Sequence, residues 1–254
     1  MRILRNIISL GLGVVALALP LHADPVTIFA ASSLKTALDT VIIDQNLNAI
    51  AVYGGSAALA RQVSQGARAD IVIFAHPDWM DWLDEQGALG STSRCNLTGN
   101  RLVLAGASDA GDLSVEQPND LIDALVGGRL AVGHLKSVPA GQYTAAFLDH
   151  HGWLDALIPH LAETSNVRLA MALVARGEVS LGFVYASDVI AEKRVRTVFT
   201  PSSETYPAIR YPAALTSEAK VDAAGVLRKL SASVENFENN GFMALPATET
   251  GRCP

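Results

Sequence analysis

Short apolar runs alternate with segments whose apolar residues recur at helical spacing in the first third of the chain after residue 23. A run that is apolar throughout is typical of a strand buried on both faces, whereas hydroxyl residues, proline and glycine mark helix ends. The pattern predicts strands at 26–31, 49–53 and 70–75, and helices from Ser32 or Ser33 to about 44, from Ser56 to about 66 and from Pro77 to about 86. This β-α-β-α-β-α order predicts a parallel sheet with right-handed crossovers.

The rest of the chain continues the alternation, and no segment of about 20–50 residues is repeated, which excludes a solenoid. The pattern predicts strands at 101–106, 129–133, 180–185 and 196–200, a loop over 108–120, and helices from the Val138-Pro-Ala-Gly141 turn to about 150, near 153–157 and over 167–176. We therefore expect a second α/β unit over about 105–200. A strand near 209–215 and helices over 220–233 and near 235–240 are predicted to follow it.

The N-terminus has the pattern of a secretory signal peptide. Residues 1–6 carry Arg2 and Arg5, residues 7–21 are apolar, and Ala23 precedes an Asp-Pro pair. A transmembrane anchor is the alternative, but the apolar run has only about 15 residues where a span needs about 20. We therefore predict cleavage near Ala23 and an exported, periplasmic protein that does not insert into the membrane.

Charge narrows the class of ligand. The whole chain carries a net charge of −6, and loss of the two N-terminal arginines would leave −8. A nucleic-acid binder would show a basic patch or stripe, so this acidic balance argues against that class. An anionic ligand would have to be held by local geometry, because the overall field repels it.

Cys95 and Cys253 are the only cysteines. In an oxidising compartment two cysteines favour one disulfide, which would tie down the C-terminal tail. The alternative is a pair of free thiols. A two-cysteine metal site is disfavoured because no Cys-x-x-Cys spacing occurs.

Several kinds of catalytic or cofactor motif are missing from the chain. There is no His-Glu-x-x-His, no phosphate-binding P-loop and no dinucleotide fingerprint after a strand. Ser56 follows a strand and begins a helix, as the nucleophile of an α/β serine hydrolase would. It lacks the second glycine of Gly-x-Ser-x-Gly, however, and has no persuasive Asp and His partners, so a hydrolase is a weak alternative.

Small and hydroxyl residues begin four predicted helices, namely at Ser33, Ser56, Ala140 and Val167. Helix N-termini present unpaired N–H groups and a partial positive charge, which makes them potential anion sites. Each residue alone is more often a plain helix cap, but four in one α/β chain could converge on a single small anion. Tyr185 is a fifth candidate, because it ends a strand where α/β folds place ligands. Its alternative role is that of a core tyrosine.

These segments resemble the periplasmic molybdate-binding proteins of ABC importers. The motifs that carry the resemblance run in family order from residue 26 to about 215: Phe29-Ala-Ala-Ser-Ser-Leu34, Gly55-Ser-Ala-Ala-Leu-Ala-Arg-Gln62, Ala69-Asp-Ile-Val-Ile73, Trp79-Met-Asp81, Gly128-Arg-Leu-Ala-Val-Gly133, Val138-Pro-Ala-Gly-Gln-Tyr143, Asn166-Val-Arg168 and Gly182-Phe-Val-Tyr-Ala-Ser-Asp188. Ala57-Ala58 and His134-Leu-Lys136 depart from the family pattern.

The resemblance implies an α/β, two-lobed periplasmic binding protein of type II, with two crossover strands and the ligand in the cleft. Lobe 1 would comprise residues 24–104 and 205–254, and lobe 2 residues 105–204. Carried over by motif, the ligand donors fall at Ser33, Ser56, Ala140, Val167 and Tyr185. All are neutral, and Arg168 is the cation nearest to them in sequence.

The resemblance also implies a function. It predicts a monomeric carrier, not an enzyme, that captures molybdate, and also tungstate, and delivers the anion to an ABC permease. No cofactor is expected, and molybdenum would be held only as the oxyanion through the same five residues. A sulfate or phosphate binder is the alternative within the same class.

Overall fold

The computed structural model describes residues 24–90, 94–251 and 253. The proposed signal segment, residues 1–23, lies outside this range. Within it the strands are β1 Val26–Ala31, β2 Ala49–Gly54, β3 Ile71–Ile73, β4 Cys95–Asn100, β5 Leu102–Ala107, β6 Leu130–Gly133, β7 Leu161–Thr164, β8 Leu181–Tyr185, β9 Val195–Phe199 and β10 Ile209–Leu215. The α-helices are α1 Lys35–Asp44, α2 Ser56–Ser64, α3 Pro77–Glu85, α4 Pro118–Ala124, α5 Pro139–His150, α6 Leu154–Leu157, α7 Val167–Ala175, α8 Ala186–Ile190, α9 Ala223–Ala232, α10 Val234–Asn239 and α11 Ala247–Thr250. Short 3-10 helices cover Ser32–Leu34 and Ile158–His160.

The strands form two five-stranded sheets. The first has the order β2-β1-β3-β10-β4, and the second has the order β7-β6-β8-β5-β9. In the first sheet β1 pairs in parallel with β2 and β3, as the sequence predicts, but β10 is antiparallel to both of its neighbours. In the second sheet β6 is parallel to β7 and β8, whereas β5 runs antiparallel to β8 and β9. Both sheets are therefore mixed, with helices packed against them.

The chain passes between the two sheets twice. The first crossing is at Arg101, between β4 and β5, and the second runs through residues 200–208, between β9 and β10. Lobe 1 is used below for the unit built on the first sheet, and lobe 2 for the unit built on the second. The fold is thus a two-lobed α/β structure. Each connection joins two strands that are consecutive in the chain and belong to different sheets.

Five of the described strands and α-helices were not predicted from the sequence, namely β4, α4, β7, α8 and α11. The segment 108–120 was expected to be a loop, but α4 begins inside it at Pro118. Asp120 explains the helix, because its carboxylate accepts the backbone N–H groups of Glu116 and Gln117 at 2.8 and 3.0 Å. This is a capping box with proline at the first helical position, a combination that favours a helix start.

The sequence predicts one strand over 101–106 at the first crossing, but the structure has two strands there, β4 before Arg101 and β5 after it. The strand β4, with sequence Cys-Asn-Leu-Thr-Gly-Asn, precedes the crossing and pairs with β10. Asparagine and glycine are depleted in strands, so this segment has little β-signal of its own. Long-range pairing with β10 therefore determines the strand.

Cys95 at the start of β4 is bonded to Cys253, and their Cα atoms are 5.0 Å apart. The predicted disulfide is thus confirmed, and it fixes the C-terminal tail to the edge of the first sheet. None of the helices in the described ranges has both the length and the apolar character that crossing a membrane requires.

Candidate functional site

All five residues predicted to bind the ligand line one small cavity between the lobes. Its volume, counted as the space open to the centre of a water-sized molecule, is about 10 Å³, far below the roughly 300–1,000 Å³ of pockets for drug-sized ligands. Its described lining is Ala31, Ser32, Ser33, Gly54, Gly55, Ser56, Ala75, Val138, Pro139, Ala140, Asn166, Val167 and Tyr185. Both lobes contribute to it, so the space suits a small ligand that is enclosed when the lobes meet.

Lobe 1 contributes the two serines that the sequence predicts as donors. Ser33 lies in the short helix that follows β1, and Ser56 is the first residue of α2, after β2; each is 1% exposed. The Ser56 Oγ accepts the backbone N–H of Ala75 at 3.1 Å. A hydroxyl has one proton and two lone pairs, so the Ser56 proton stays available to an acceptor in the cavity.

Lobe 2 contributes the N-termini of two helices. Ala140 is the second residue of α5 and Val167 is the first residue of α7. The first-turn N–H groups of a helix have no acceptor within it, so these lining residues bring backbone donors that their own helices leave unpaired. Asn166 caps α7 by accepting the N–H of Leu169 at 3.1 Å, which fixes the start of the helix. The two helix ends therefore add positive dipole ends beside the serines.

Tyr185 ends β8 and brings a phenol hydroxyl to the cavity. Its side chain is 1% exposed, and its Oη has no hydrogen-bond partner among the described residues. Burial raises the pKa of the phenol well above its ordinary value, so the group remains an O–H donor. A buried donor without a partner is costly, and a ligand oxygen in the cavity would satisfy it.

The described residues that line the cavity carry no formal charge. Arg168, the cation nearest in sequence, places its Nε 2.7 Å from Oδ1 of the fully buried Asp188, and its Nη2 donates to the Ser33 carbonyl at 3.1 Å. The other Asp188 oxygen accepts the backbone N–H of Tyr185 at 3.1 Å. Burial raises the pKa of Asp188 to about 6 against the opposing effect of Arg168. The guanidinium is therefore engaged by protein groups next to the site.

Two further residues, Tyr211 and Asn100, support the site and were not predicted from the sequence. The Tyr211 Oη lies 2.9 Å from Ser33 Oγ and 3.1 Å from Asn100 Nδ2, and both side chains are buried. Neither has a local signal, because Tyr211 lies within β10 and Asn100 ends β4. Asp188 could have been found, since an acidic residue three positions after the strand end suggests a capping box.

The arrangement is suited to binding an anion, and it offers little for catalysis. The hydroxyls of Ser33, Ser56 and Tyr185 and the helix-start N–H groups supply donors, and the described lining holds no histidine or carboxylate. Ser56 therefore has no general base among the lining residues, as a serine hydrolase would need. Hydrogen bonds to a charged group contribute about 1.5–3 kcal/mol each, so a set of such donors can replace the hydration of a small anion.

Comparison with known proteins agrees with this geometry. Residues 26–228 match the model of the bacterial extracellular solute-binding proteins. The chain belongs to this family. The molybdate-binding protein ModA of Escherichia coli is 36% identical over 226 residues, which is 85% of this chain and 88% of that protein. The family predicted from the sequence motifs is thereby confirmed.

Solved structures of solute-binding proteins share the two-lobed fold. The substrate-binding domain of a putative molybdenum ABC transporter from Clostridium difficile is 30% identical, with a TM-score of 0.63 over 87% of this chain and 99% of that one. The periplasmic molybdate-binding protein of Azotobacter vinelandii is 20% identical, with a TM-score of 0.75 over 87% of this chain and 99% of that one. The predicted fold class is confirmed.

Proposed function

We propose that this solute-binding protein captures molybdate in the inter-lobe cavity and delivers it to an ABC permease. The observation that carries the proposal is the buried hydroxyl of Tyr185, which has no hydrogen-bond partner in the described part of the chain; Tyr185 lines the same cavity as Ser33 and Ser56. A tetrahedral dianion offers four oxygens and no protons, and it complements a site of donors. Tungstate has the same charge and shape and is expected to bind as well.

Neutral donors suit a carrier that must both hold and release its ligand. An arginine or lysine in the cavity would add strong Coulomb attraction at low dielectric. Arg168 is instead paired with Asp188, so attraction would come from hydrogen bonds that are made only when the lobes surround the anion. Opening the cleft breaks them together, which supports release to a membrane partner by hinge motion.

Contacts between the lobes support such a closed state. Trp79 of lobe 1 donates its indole N–H to the Gln142 side chain of lobe 2 at 3.1 Å. The Tyr143 hydroxyl of lobe 2 donates to the Ala75 carbonyl of lobe 1 at 3.3 Å. The first bond joins α3 to α5, and the second joins α5 to the segment between β3 and α3, so both would form as the lobes approach each other.

The proposal includes export to the periplasm, with residues 1–23 as the signal peptide, and action as a monomer that binds a solute and does not catalyse a reaction. Sulfate is the competing ligand, because it is a smaller tetrahedral dianion.

The test is a calorimetric titration of the purified exported protein with molybdate, tungstate, sulfate and phosphate at one ionic strength. We expect molybdate and tungstate to bind at least about 100-fold more tightly than the other two, which is about 2.7 kcal/mol. Tight binding of sulfate or phosphate with weak binding of molybdate would overturn the assignment.

A further inference from the structure

The hydroxyl of Ser33 is the end of a buried hydrogen-bonded chain that begins at the first crossing between the lobes. Ser33 Oγ lies 2.9 Å from Tyr211 Oη, and Tyr211 Oη lies 3.1 Å from Asn100 Nδ2. The same Nδ2 lies 2.8 Å from Ser187 Oγ of lobe 2. Each of these side chains is almost completely buried, so water does not compete for their protons.

The direction of the chain follows from its fixed end. The backbone N–H of Arg101 donates to Asn100 Oδ1 at 2.9 Å, and an N–H can only donate. The amide oxygen of Asn100 therefore faces Arg101, and its NH₂ group faces Tyr211 and Ser187. Because the NH₂ group donates to Tyr211 Oη, the phenol proton of Tyr211 is left to donate to Ser33 Oγ.

We propose that Asn100 and Tyr211 are positioning residues that commit the hydroxyl proton of Ser33 to the bound oxyanion. Because Tyr211 donates its phenol proton to Ser33 Oγ, the Ser33 hydroxyl cannot point its own proton toward Tyr211. In that orientation the two protons would lie against each other. The remaining direction is the cavity that Ser33 lines. This inference rests on the proposed function, since it assigns a role toward the same ligand.

Two observations support the assignment. Ser56 receives the same kind of support, because the backbone N–H of Ala75 donates to its Oγ and leaves its proton for the cavity. Burial also raises the pKa of Tyr211 above its ordinary value, so the phenol keeps the proton that it must donate. Ser33 and Ser56 thus each accept a hydrogen bond from another protein group, which leaves their own protons for the cavity.

A double-mutant cycle tests whether Tyr211 acts through Ser33. Molybdate affinity is measured by calorimetry for the wild type, Ser33→Ala, Tyr211→Phe and the double variant. In the wild-type background we expect Tyr211→Phe to weaken molybdate binding about fivefold, because one hydrogen bond to the anion would be misdirected. In the Ser33→Ala background we expect the same substitution to weaken binding by less than about twofold. Equal losses in both backgrounds, or no loss in either, would overturn the relay.

Tyr206→Phe is the matched control, because it also removes a buried tyrosine hydroxyl, one that accepts the N–H of Leu102 at 3.2 Å. We expect its effect on affinity to be small and equal in both backgrounds. A wild type that binds none of the oxyanions would contradict the proposed function itself. A wild type that binds molybdate and gives an additive cycle would contradict only the relay.

Asn100→Asp provides a second route if Tyr211→Phe does not fold. The aspartate carboxylate has nearly the shape of the asparagine amide, but it accepts a hydrogen bond where the amide NH₂ donated one. The Tyr211 proton would therefore turn toward residue 100, and Ser33 would donate its proton to Tyr211. We expect the loss of affinity to be several-fold larger in the wild type than in Ser33→Ala, where only the added charge acts. The same loss in both backgrounds would contradict the proposal.

Discussion

Arg168 places its Nε 2.7 Å from Oδ1 of Asp188, and this buried ion pair joins three parts of the site. Asp188 also accepts the N–H of Tyr185, and Arg168 also donates to the Ser33 carbonyl in the other lobe. The pair therefore neutralises the nearest cation while it holds two proposed ligand donors in place.

Arg168→Gln should destabilise the protein by about 3–5 kcal/mol near pH 8, because it leaves the buried Asp188 carboxylate without its partner. The loss should shrink at pH 5. Burial raises the pKa of Asp188 to about 6 even beside Arg168, so in the variant it lies higher still, while the unfolded value stays near 3.8. A group whose pKa is raised in the folded state stabilises the fold fully at pH values below its unfolded-state pKa. This contribution is lost as the pH rises through the folded-state pKa.

Urea unfolding at pH 5 and pH 8 measures this effect. Arg196→Gln is the control, because Arg196 forms an exposed pair with Asp112, and surface pairs contribute only about 0–1 kcal/mol. An Arg168→Gln variant as stable as the control at pH 8 would show that the ion pair does not act as argued.

Tyr185→Phe should weaken molybdate binding by about tenfold or more, because it removes one O–H donor to a charged ligand. Without ligand, the variant should be at least as stable as the wild type, since the lost hydroxyl has no partner among the described residues. Tyr53→Phe is the matched control, as the Tyr53 hydroxyl donates to Asp39 at 2.5 Å. Calorimetry that gives the two variants equal affinities would remove Tyr185 from the site.

Gly55→Ala should weaken binding through a clash between the lobes. A Cβ at Gly55 would lie 2.5 Å from the carbonyl oxygen of Ser165 in lobe 2. The φ of −69° at Gly55 suits alanine, so the backbone of lobe 1 is not strained. Overpacking of about 1–3 kcal/mol corresponds to a loss of about 5- to 150-fold in affinity.

Gly225→Ala controls for this substitution, because a Cβ there meets nothing within 4 Å. Small-angle scattering of Gly55→Ala with excess molybdate should show a larger radius than that of the liganded wild type. Unchanged affinity and an unchanged radius would mean that binding does not need the close contact between Gly55 and Ser165.

The double substitution Cys95→Ala with Cys253→Ala should lower the free energy of unfolding by about 2–5 kcal/mol, since the bond closes a loop with a sequence separation of 158. Molybdate affinity should not change. Cys95 lies at the opposite end of β4 from Asn100, about 17 Å away along an extended strand. Thermal melts with and without reductant provide the check, and a wild type insensitive to reductant would argue against the bond's role.

Local signals together with the family resemblance point to five of the residues that line the cavity. Ser33, Ser56, Ala140 and Val167 each lie at or near a helix start, and Tyr185 ends a strand, so short windows of sequence mark them. The predicted strands are all present, with ends shifted by a few residues. These features depend on hydrophobic periodicity and on capping, both of which act over a few residues.

Tyr211 and Asn100 could not be predicted because topology brings them together. They are 111 residues apart, and they meet because β10 returns to the first sheet between β3 and β4. The pairing of Arg168 with Asp188 is equally invisible in a sequence window. The strand β4 was missed for the same reason, since its polar sequence forms a strand only when it pairs with β10.

The position of the bound anion tests the account most directly. Crystals of the exported protein grown with molybdate, measured on both sides of the molybdenum absorption edge, would locate the metal atom. We expect one strong anomalous peak in the inter-lobe cavity, with a molybdate oxygen within about 3 Å of Tyr185 Oη. A peak elsewhere, or an empty cavity at saturating molybdate, would contradict the proposal that these neutral donors hold the ligand.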